Sequence, residues 1–270
     1  MTGTGNDFIV FDNRNGRWSG RERAFFASIC RRHESIGADG VVLIERGGAA
    51  SIRMRYYNRD GREAPMCGNA ARCAALYAVR KGMVRSPSFV LEASDGAHPV
   101  RVAGRRTVTV RMRPAEGYGT GLGIVREPEF SEGGFIDTGV PHWVVFVPAA
   151  ERVALSAVAP YYRHHPAFPE GANVNFVEVR GGNRIAVRTF ERGVEDETLS
   201  CGTGCVASAL IVSRTHGYSS PVRVETRGGI LTVAFDEEWR SIDLTGSAEV
   251  VYEGVLEACA VCTRQRTGGS

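Results

Sequence analysis

The sequence predicts an α/β (α+β) protein of two pseudo-symmetric halves, each a set of strands around one helix. Three observations predict it. A cysteine followed by glycine twice opens an apolar helical run, at Cys67-Gly68-Asn69 ahead of residues 74–79 and at Cys201-Gly202-Thr203 ahead of residues 206–212. The two cysteines lie 134 residues apart, and the same offset carries Gly37-Ala38-Asp39 onto Gly171-Ala172-Asn173, Asn58-Arg59 into the turn Glu191-Arg192-Gly193, and Asn6 onto Val140 beside Pro141-His142. Short apolar strands punctuated by turn residues run on both sides of a glycine-rich break at residues 114–134, which is how a duplicated unit reads in sequence.

Each element has a local reason. Phe8-Ile9-Val10-Phe11, between Gly5-Asn6-Asp7 and Asp12-Asn13, reads as a buried strand. Residues 21–32 set Phe25, Phe26 and Ile29 at helical spacing. Strands follow at 41–44 and 51–57, closed by the turn Asn58-Arg59-Asp60-Gly61. The first cysteine helix runs to about Arg80, and strands at 89–92, 99–102 and 107–112 come after it. Beyond the break we expect a strand at 143–147, a helix over 150–159 and strands at 174–179 and 185–190. The second cysteine helix then spans 201–215, with strands at 222–226, 230–235 and 250–256. We place the halves at residues 1–113 and 114–246, the first completed by a C-terminal strand within 247–262, and read 263–270 as a polar tail.

Composition narrows the function. With 270 residues, 43% apolar and 23% charged, the chain is a folding globular sequence. A net charge of +3 spread over scattered arginines does not point to nucleic acid. No apolar stretch is long enough to cross a membrane and the start lacks a signal core, so we expect a cytoplasmic protein with its seven cysteines reduced. Lys81 is the only lysine and precedes Gly82 at an expected helix C-terminus, a place that argues against a pyridoxal Schiff base. We expect no cofactor.

A cysteine on its own is most often a small core residue. At a helix start, however, a thiol sits among N–H groups without intrahelical acceptors at the positive end of the dipole, where its pKa falls and an anion can bind. Finding that placement in both halves makes Cys67 and Cys201 the candidate reactive pair, whereas Cys73 and Cys205, a turn or so into each helix, read as packing residues. The spacings are wrong for zinc knuckles, and Cys259-Ala260-Val261-Cys262 has no second pair, so we expect no metal site. His164-His165 falls in a polar loop. His142, beside the repeat's functional positions, is either a tuning group or a hydrogen-bonded core histidine. Two thiols facing each other across a cleft between the halves suit proton removal on one face of a carbon and return on the other, which inverts a stereocentre. A disulfide-exchange enzyme would instead keep both sulfurs in one loop.

Gly3-Thr4-Gly5-Asn6-Asp7-Phe8, Cys67-Gly68-Asn69-Ala70-Ala71-Arg72-Cys73, Glu191-Arg192-Gly193 and Cys201-Gly202-Thr203-Gly204 together resemble the diaminopimelate epimerase family, and Asn58 and Gly171-Ala172-Asn173 fit its pattern. The resemblance spans about residues 1–256. It implies that each half is a mostly antiparallel curved sheet or barrel wrapped around its helix. It also implies a cofactor-independent homodimer that interconverts LL- and meso-diaminopimelate on the bacterial route to lysine and cell-wall precursor. Carried over, Cys67 and Cys201 are the acid/base thiols, with His142 and Glu191 tuning them. Gly68, Asn69, Gly202 and Thr203 take the reacting carboxylate, while Asn6, Asn58, Asn173, Glu191 and Arg192 hold the remaining amino and carboxylate groups. Val140 stands where the family often has asparagine, Ala70 where it usually has glycine, and relatives carry a few more strand residues ahead of Met1. A proline or hydroxyproline racemase of the same fold, or a non-enzymatic thiol switch or binding protein, remains an alternative; the Glu-Arg-Gly turn argues for a substrate with a second charged end.

Overall fold

The computed structural model describes residues 1–48 and 51–256. The first unit takes residues 1–106 and resumes at Ala248. It contains β1 (Thr2–Gly3), β2 (Asn6–Asp12), α1 (Arg23–Cys30), β3 (Gly40–Arg46), β4 (Ser51–Asn58), β5 (Glu63–Ala64), α2 (Gly68–Arg80), β6 (Ser88–Ala93) and β7 (Gly96–Ala103). The second unit, Thr107–Ser247, contains β8 (Thr107–Met112), β9 (Glu116–Gly119), β10 (Ser131–Asp137), β11 (Pro141–Phe146), α3 (Leu155–Arg163), β12 (Asn173–Arg180), β13 (Arg184–Glu191), β14 (Asp196–Thr198), α4 (Gly202–His216), β15 (Val222–Thr226), β16 (Gly229–Phe235) and β17 (Ile242–Ser247).

The repeat is written into the strand registers. In the first unit β2 runs parallel to β3 and β3 antiparallel to β4, so that Phe8 lies opposite Gly40 and Gly40 opposite Asn58. In the second, β11 runs parallel to β12 and β12 antiparallel to β13, with His142 opposite Asn173; extending the β12–β13 register by one residue brings Glu191 beside Asn173. The next strands repeat too: β4 and β6 are parallel with Ile52 opposite Leu91, as are β13 and β15 with Ile185 opposite Val224. The hairpins β6–β7 and β15–β16 follow, with Leu91 facing His98 and Val224 facing Leu231. Pairing of this kind is set by which face of each strand is buried, and a one-residue slip would turn every core side chain outward. Keeping the same register twice therefore keeps the same residues at the same end of each sheet.

Each central helix is buried nearly all round. On α2 the run from Gly68 to Leu76 is buried, and on α4 the run from Gly204 to Val212. A helix without a solvent face needs protein on every side. Accordingly, α2 packs on β1, β2, β3, β4 and β7, and α4 on β10, β11, β12, β13, β15, β16 and β17. The many alanines of α2, and Gly204, Ala207 and Ala209 of α4, leave room for strands to close in. A left-handed Gly217 ends α4. The lone Lys81 caps α2, pairs with Glu253 at 2.8 Å and lies over the Tyr77 ring.

Four expectations need correction. The strand at 107–112, expected in the first half, lies in the second unit, where β8 pairs antiparallel with β17 from Thr107–Ser247 to Met112–Ile242. The glycine-rich break is not a linker throughout: β9 lies inside it and pairs with β10. Strand β10 itself escapes sequence reading because Gly133 and Gly134 lower its β-propensity. They are there for a bulge, with Gly134 at φ 136° and a Cβ at Gly133 only 2.7 Å from Val144 Cγ1. Finally, residues 251–256 form no strand despite β-favouring composition, and Val251, Tyr252 and Val255 are exposed. The chain is instead tied at Glu249, which bridges Thr2. The rest of the expected 247–262 strand, the 263–270 tail, Cys259 and Cys262 lie outside the described residues. Among those described, no helix is long and apolar enough to cross a membrane.

Candidate active site

Both cysteines occupy the same position. Cys67 caps α2 at φ −112°, ψ 119°, and Cys201 caps α4 at φ −103°, ψ 113°. Each carbonyl accepts the first helical bond, from Ala71 N–H at 2.8 Å and from Cys205 N–H at 2.9 Å. The N–H groups of the first turn, on Gly68, Asn69 and Ala70 or on Gly202, Thr203 and Gly204, have no acceptor inside the helix and carry the positive end of its dipole. Such a cap is a site for an anion.

The environments of the thiols differ. Cys67 is partly exposed, whereas Cys201 is buried. Burial pushes the Cys201 thiol well above the ordinary range, and the Glu191 carboxylate pushes it further. The Thr203 hydroxyl, 3.4 Å from the sulfur, and the Gly204 N–H pull the other way. Cys73 is fully buried and its thiol is raised to about 12 by burial, so it stays protonated and packs beneath Gly3, where a Cβ would lie 3.2 Å from the Cys73 sulfur. Cys205 is buried as well. Both are core residues, as their positions in the helices suggested.

At the α2 end, the expected amides form a relay. Asn6 donates from Nδ2 to Asp39 Oδ2 at 3.0 Å and accepts at Oδ1 from Asn69 Nδ2. Asn69 Oδ1 accepts from Arg72 Nη2 at 2.7 Å, and the same nitrogen reaches Thr4 Oγ1 at 2.8 Å. Arg72 is fully buried and also donates to the Gly68 carbonyl at 3.2 Å. This relay fixes which atom of each amide faces which way. Asn58, at the end of β4 beside Gly40, shares this end of the sheet and is exposed.

At the α4 end, Asn173 accepts the Arg192 N–H at 2.7 Å through Oδ1 and donates to the Pro141 carbonyl at 3.2 Å. The Arg192 guanidinium reaches the Glu170 carbonyl at 3.2 Å. Glu191 ends β13. Thr138, in the turn before β11, donates to the Thr203 carbonyl at 3.1 Å and so holds the start of α4. His142 is completely buried, its Nδ1 3.0 Å from Asn175 Nδ2. Within each unit the structure thus gathers the expected residues at one end of the sheet: Asn6, Asn58, Cys67, Gly68 and Asn69 in the first, His142, Asn173, Glu191, Arg192, Cys201, Gly202 and Thr203 in the second. Sequence reading passed over Asp39, Arg72, Thr138, Asn175 and Thr189. Asp39 and Thr138 were within reach, because the repeat offset lands on Asn173 and Thr4; Asn175 and Thr189 gave no signal beyond ordinary strand composition.

Burial, then the charge of Arg192, lowers the His142 pKa to about 3. The unfolded ring takes a proton near its ordinary value of about 6.5. Between those values the unfolded chain binds more protons, so stability is full above about pH 6.5 and declines as pH falls toward 3. His142→Gln should remove a component of at most about 1.4 kcal/mol per pH unit from the acid limb of denaturant-measured stability. An unchanged acid slope would refute this account of the ring.

With this geometry in place, the match to known proteins is informative. The profile of the diaminopimelate epimerase family matches residues 1–117 and 134–251, taking in both cysteine caps. The chain belongs to that family. Diaminopimelate epimerase of Chlorobaculum tepidum is 39% identical over 95% of this chain and 99% of its own. That of Methanocella arvoryzae is 41% identical over 95% of each chain. Among solved structures, the Bacillus anthracis phenazine biosynthesis protein of the PhzF family superposes with a TM-score of 0.68 at 14% identity, covering 92% of this chain and 93% of its own. A hydroxyproline epimerase from Agrobacterium vitis gives 0.58 at 16% identity, covering 91% and 87%. The latter two establish kinship of fold.

Proposed function

We propose that this chain interconverts LL- and meso-2,6-diaminopimelate, without a cofactor, one of Cys67 and Cys201 removing the α-proton and the other supplying a proton to the opposite face. The reading rests above all on the two thiols standing at matching caps of two buried helices. In each direction one sulfur acts as thiolate and takes the α-proton, while the other acts as thiol and delivers its own proton to the opposite face of the same carbon. The roles of the sulfurs are exchanged at the end of each turnover. Charge that develops at the α-carbon spreads onto the neighbouring carboxylate. The N–H groups of Gly68, Asn69, Gly202 and Thr203 bind that carboxylate more strongly as the charge grows, which is the kind of interaction that lowers a barrier. Asn6, Asn58, Asn173, Glu191 and Arg192 hold the amino groups and the far carboxylate; an acid, a guanidinium and several amides suit a substrate with a zwitterion at each end. We extend the proposal to a cytoplasmic homodimer, for which sedimentation at twice the chain mass is the expected result.

The decisive experiment incubates the purified protein with LL-diaminopimelate in deuterated water. Deuterium at one α-carbon together with formation of the meso isomer supports the reading. Exchange of proline or hydroxyproline with none of diaminopimelate would move the assignment to the ring-substrate relatives, and inertness toward all of them would leave a binding protein.

Glu191 gives this reading a pH signature. Its carboxylate raises the Cys201 thiol, so Glu191→Gln lowers that pKa and moves the ascending limb of the kcat/KM profile to lower pH. KM should rise at the same time if the carboxylate also binds substrate. A limb that stays in place, or moves to higher pH, would refute the coupling between Glu191 and Cys201.

A further inference from the structure

Asn175 lies on β12 with its amide fully buried. Its Nδ2 is 3.3 Å from the Trp143 carbonyl oxygen and 3.0 Å from His142 Nδ1. On the other side, Oδ1 receives the Thr189 hydroxyl at 2.9 Å. A hydroxyl can give or accept a hydrogen bond, so Thr189 alone would leave the amide orientation open. The Trp143 carbonyl does not: it has no proton, and the atom facing it must be the amide nitrogen. The second proton of that nitrogen then points at His142 Nδ1, which must offer a lone pair. Only one ring proton remains, and it has to be on Nε2. That nitrogen is buried and without a hydrogen-bond partner among the described residues.

We infer that Asn175 is a positioning residue that holds His142 as the neutral Nε2–H tautomer, so that the ring takes part in the reaction as a donor to negative charge and not as a proton acceptor. The inference rests on the proposed epimerase reading for its catalytic half, whereas the tautomer follows from the hydrogen bonds alone. A buried Nε2–H with no acceptor costs free energy in the resting protein. It becomes favourable when an anionic group of the substrate or a thiolate forms within its reach, and a neutral donor in that role needs no counter-charge. Burial of the ring acts in the same sense, because it disfavours the imidazolium that a competing role as base would produce. Asn175 is also locked from behind: a Cβ on Gly204 would stand 2.3 Å from its Oδ1, so the first turn of α4 presses on the amide.

The test combines spectroscopy with kinetics on the full chain. Long-range proton–nitrogen correlation on histidine-labelled protein, assigned with His142→Asn, should show His142 as a neutral Nε2–H ring from about pH 5 to pH 8. A ring protonated at Nδ1, or at both nitrogens, overturns the inference. Asn175→Asp replaces the donor at Nδ1 by an acceptor, so the ring proton should move to Nδ1 or the ring should become charged. With diaminopimelate as substrate, kcat should fall about 100-fold or more while KM changes less than about threefold, since a wrong tautomer leaves binding in place. Retention of kcat in a variant with a switched ring would overturn the positioning role. Where the buried carboxylate prevents folding, Asn175→Ala serves in its place: with no donor at Nδ1 both tautomers should be populated, and a ring still held wholly as Nε2–H would refute the assignment to Asn175. An Nε2–H ring in a wild-type protein inert toward diaminopimelate would refute the activity and leave the tautomer standing.

Discussion

Cys67→Ala and Cys201→Ala should each lower kcat for epimerisation by about 10⁴-fold or more, at the upper end of what a single acid/base group supplies, because the proposed mechanism uses both sulfurs in each turnover. The losses should not add. Inversion fails as soon as either the acceptor or the donor is missing, so the double variant should be no slower than the worse single one. Cys73→Ala separates chemistry from packing. Its sulfur is buried beneath Gly3 and its thiol is held protonated, so the change should cost about 1 kcal/mol in stability by the usual reckoning for small core deletions while kcat stays within about twofold. Steady-state kinetics and thermal melts on the same preparations distinguish the two outcomes. Full epimerase activity in Cys201→Ala would end the two-thiol mechanism. Inactivation of Cys73→Ala without loss of stability would mean that the wrong sulfurs had been identified.

The repeat was visible because its anchors are residue types that few contexts tolerate: a cysteine followed by glycine at a helix start, and short turns rich in asparagine, arginine and glycine. Strand β3 was legible for a different reason, since a buried strand writes a continuous apolar run, here Val41-Val42-Leu43-Ile44; β2 carries a similar run, Phe8-Ile9-Val10-Phe11, of which only Phe8 is buried. Where the chain bends, the signal disappears. In β10 two glycines serve a bulge and a close approach to Val144, and glycine in a strand reads as loop. The opposite error occurred at residues 250–256, where valine and tyrosine suggested a strand that has no ladder partner, because β-propensity is realised only beside an open edge. The same limit applied at the site. Residues that face a ligand belong to motifs, but the groups that orient them do so through a single hydrogen bond across the sheet. Arg72 lies within a motif and still reads as a helix-surface arginine until its burial beneath Asn69 is seen. Asn175 is one polar residue in Asn-Val-Asn-Phe-Val, and only the register with β11 and β13 brings it to His142 and Thr189.

Gly204→Ala should damage both the core and the site with a single methyl group. Its Cβ would stand 2.3 Å from Asn175 Oδ1, 3.2 Å from Thr189 Oγ1 and 3.3 Å from Cys201 Cβ. None of these can yield cheaply. The amide is held by the Trp143 carbonyl, His142 and Thr189, and Cys201 is held by the first bond of the helix it caps. Either the amide network breaks or the start of α4 moves. We expect a stability loss of about 1–3 kcal/mol, the usual cost of overpacking a closed core, and a lower Tm to match. Activity should suffer more. A shift of the first turn carries the Gly204 N–H away from the Cys201 sulfur and displaces Gly202 and Thr203, and misplacement of about 1 Å at a reacting centre costs on the order of 10²-fold. The matching position in α2 is the control. There Ala70 is already accommodated, fully buried, and Ala70→Gly should cost no more than about 1 kcal/mol with kcat within about twofold. The difference arises from Asn175, because the strand registers place Val42, opposite Tyr56, at the point of β3 where Asn175 stands opposite Thr189 in β12. Combining Gly204→Ala with Asn175→Ala therefore removes the clash and should recover part of the Tm, but not kcat, since the group that orients His142 is then gone. A Gly204→Ala protein with wild-type Tm and kcat would show that the first turn of α4 tolerates a side chain and that the packing described here does not govern the thiol.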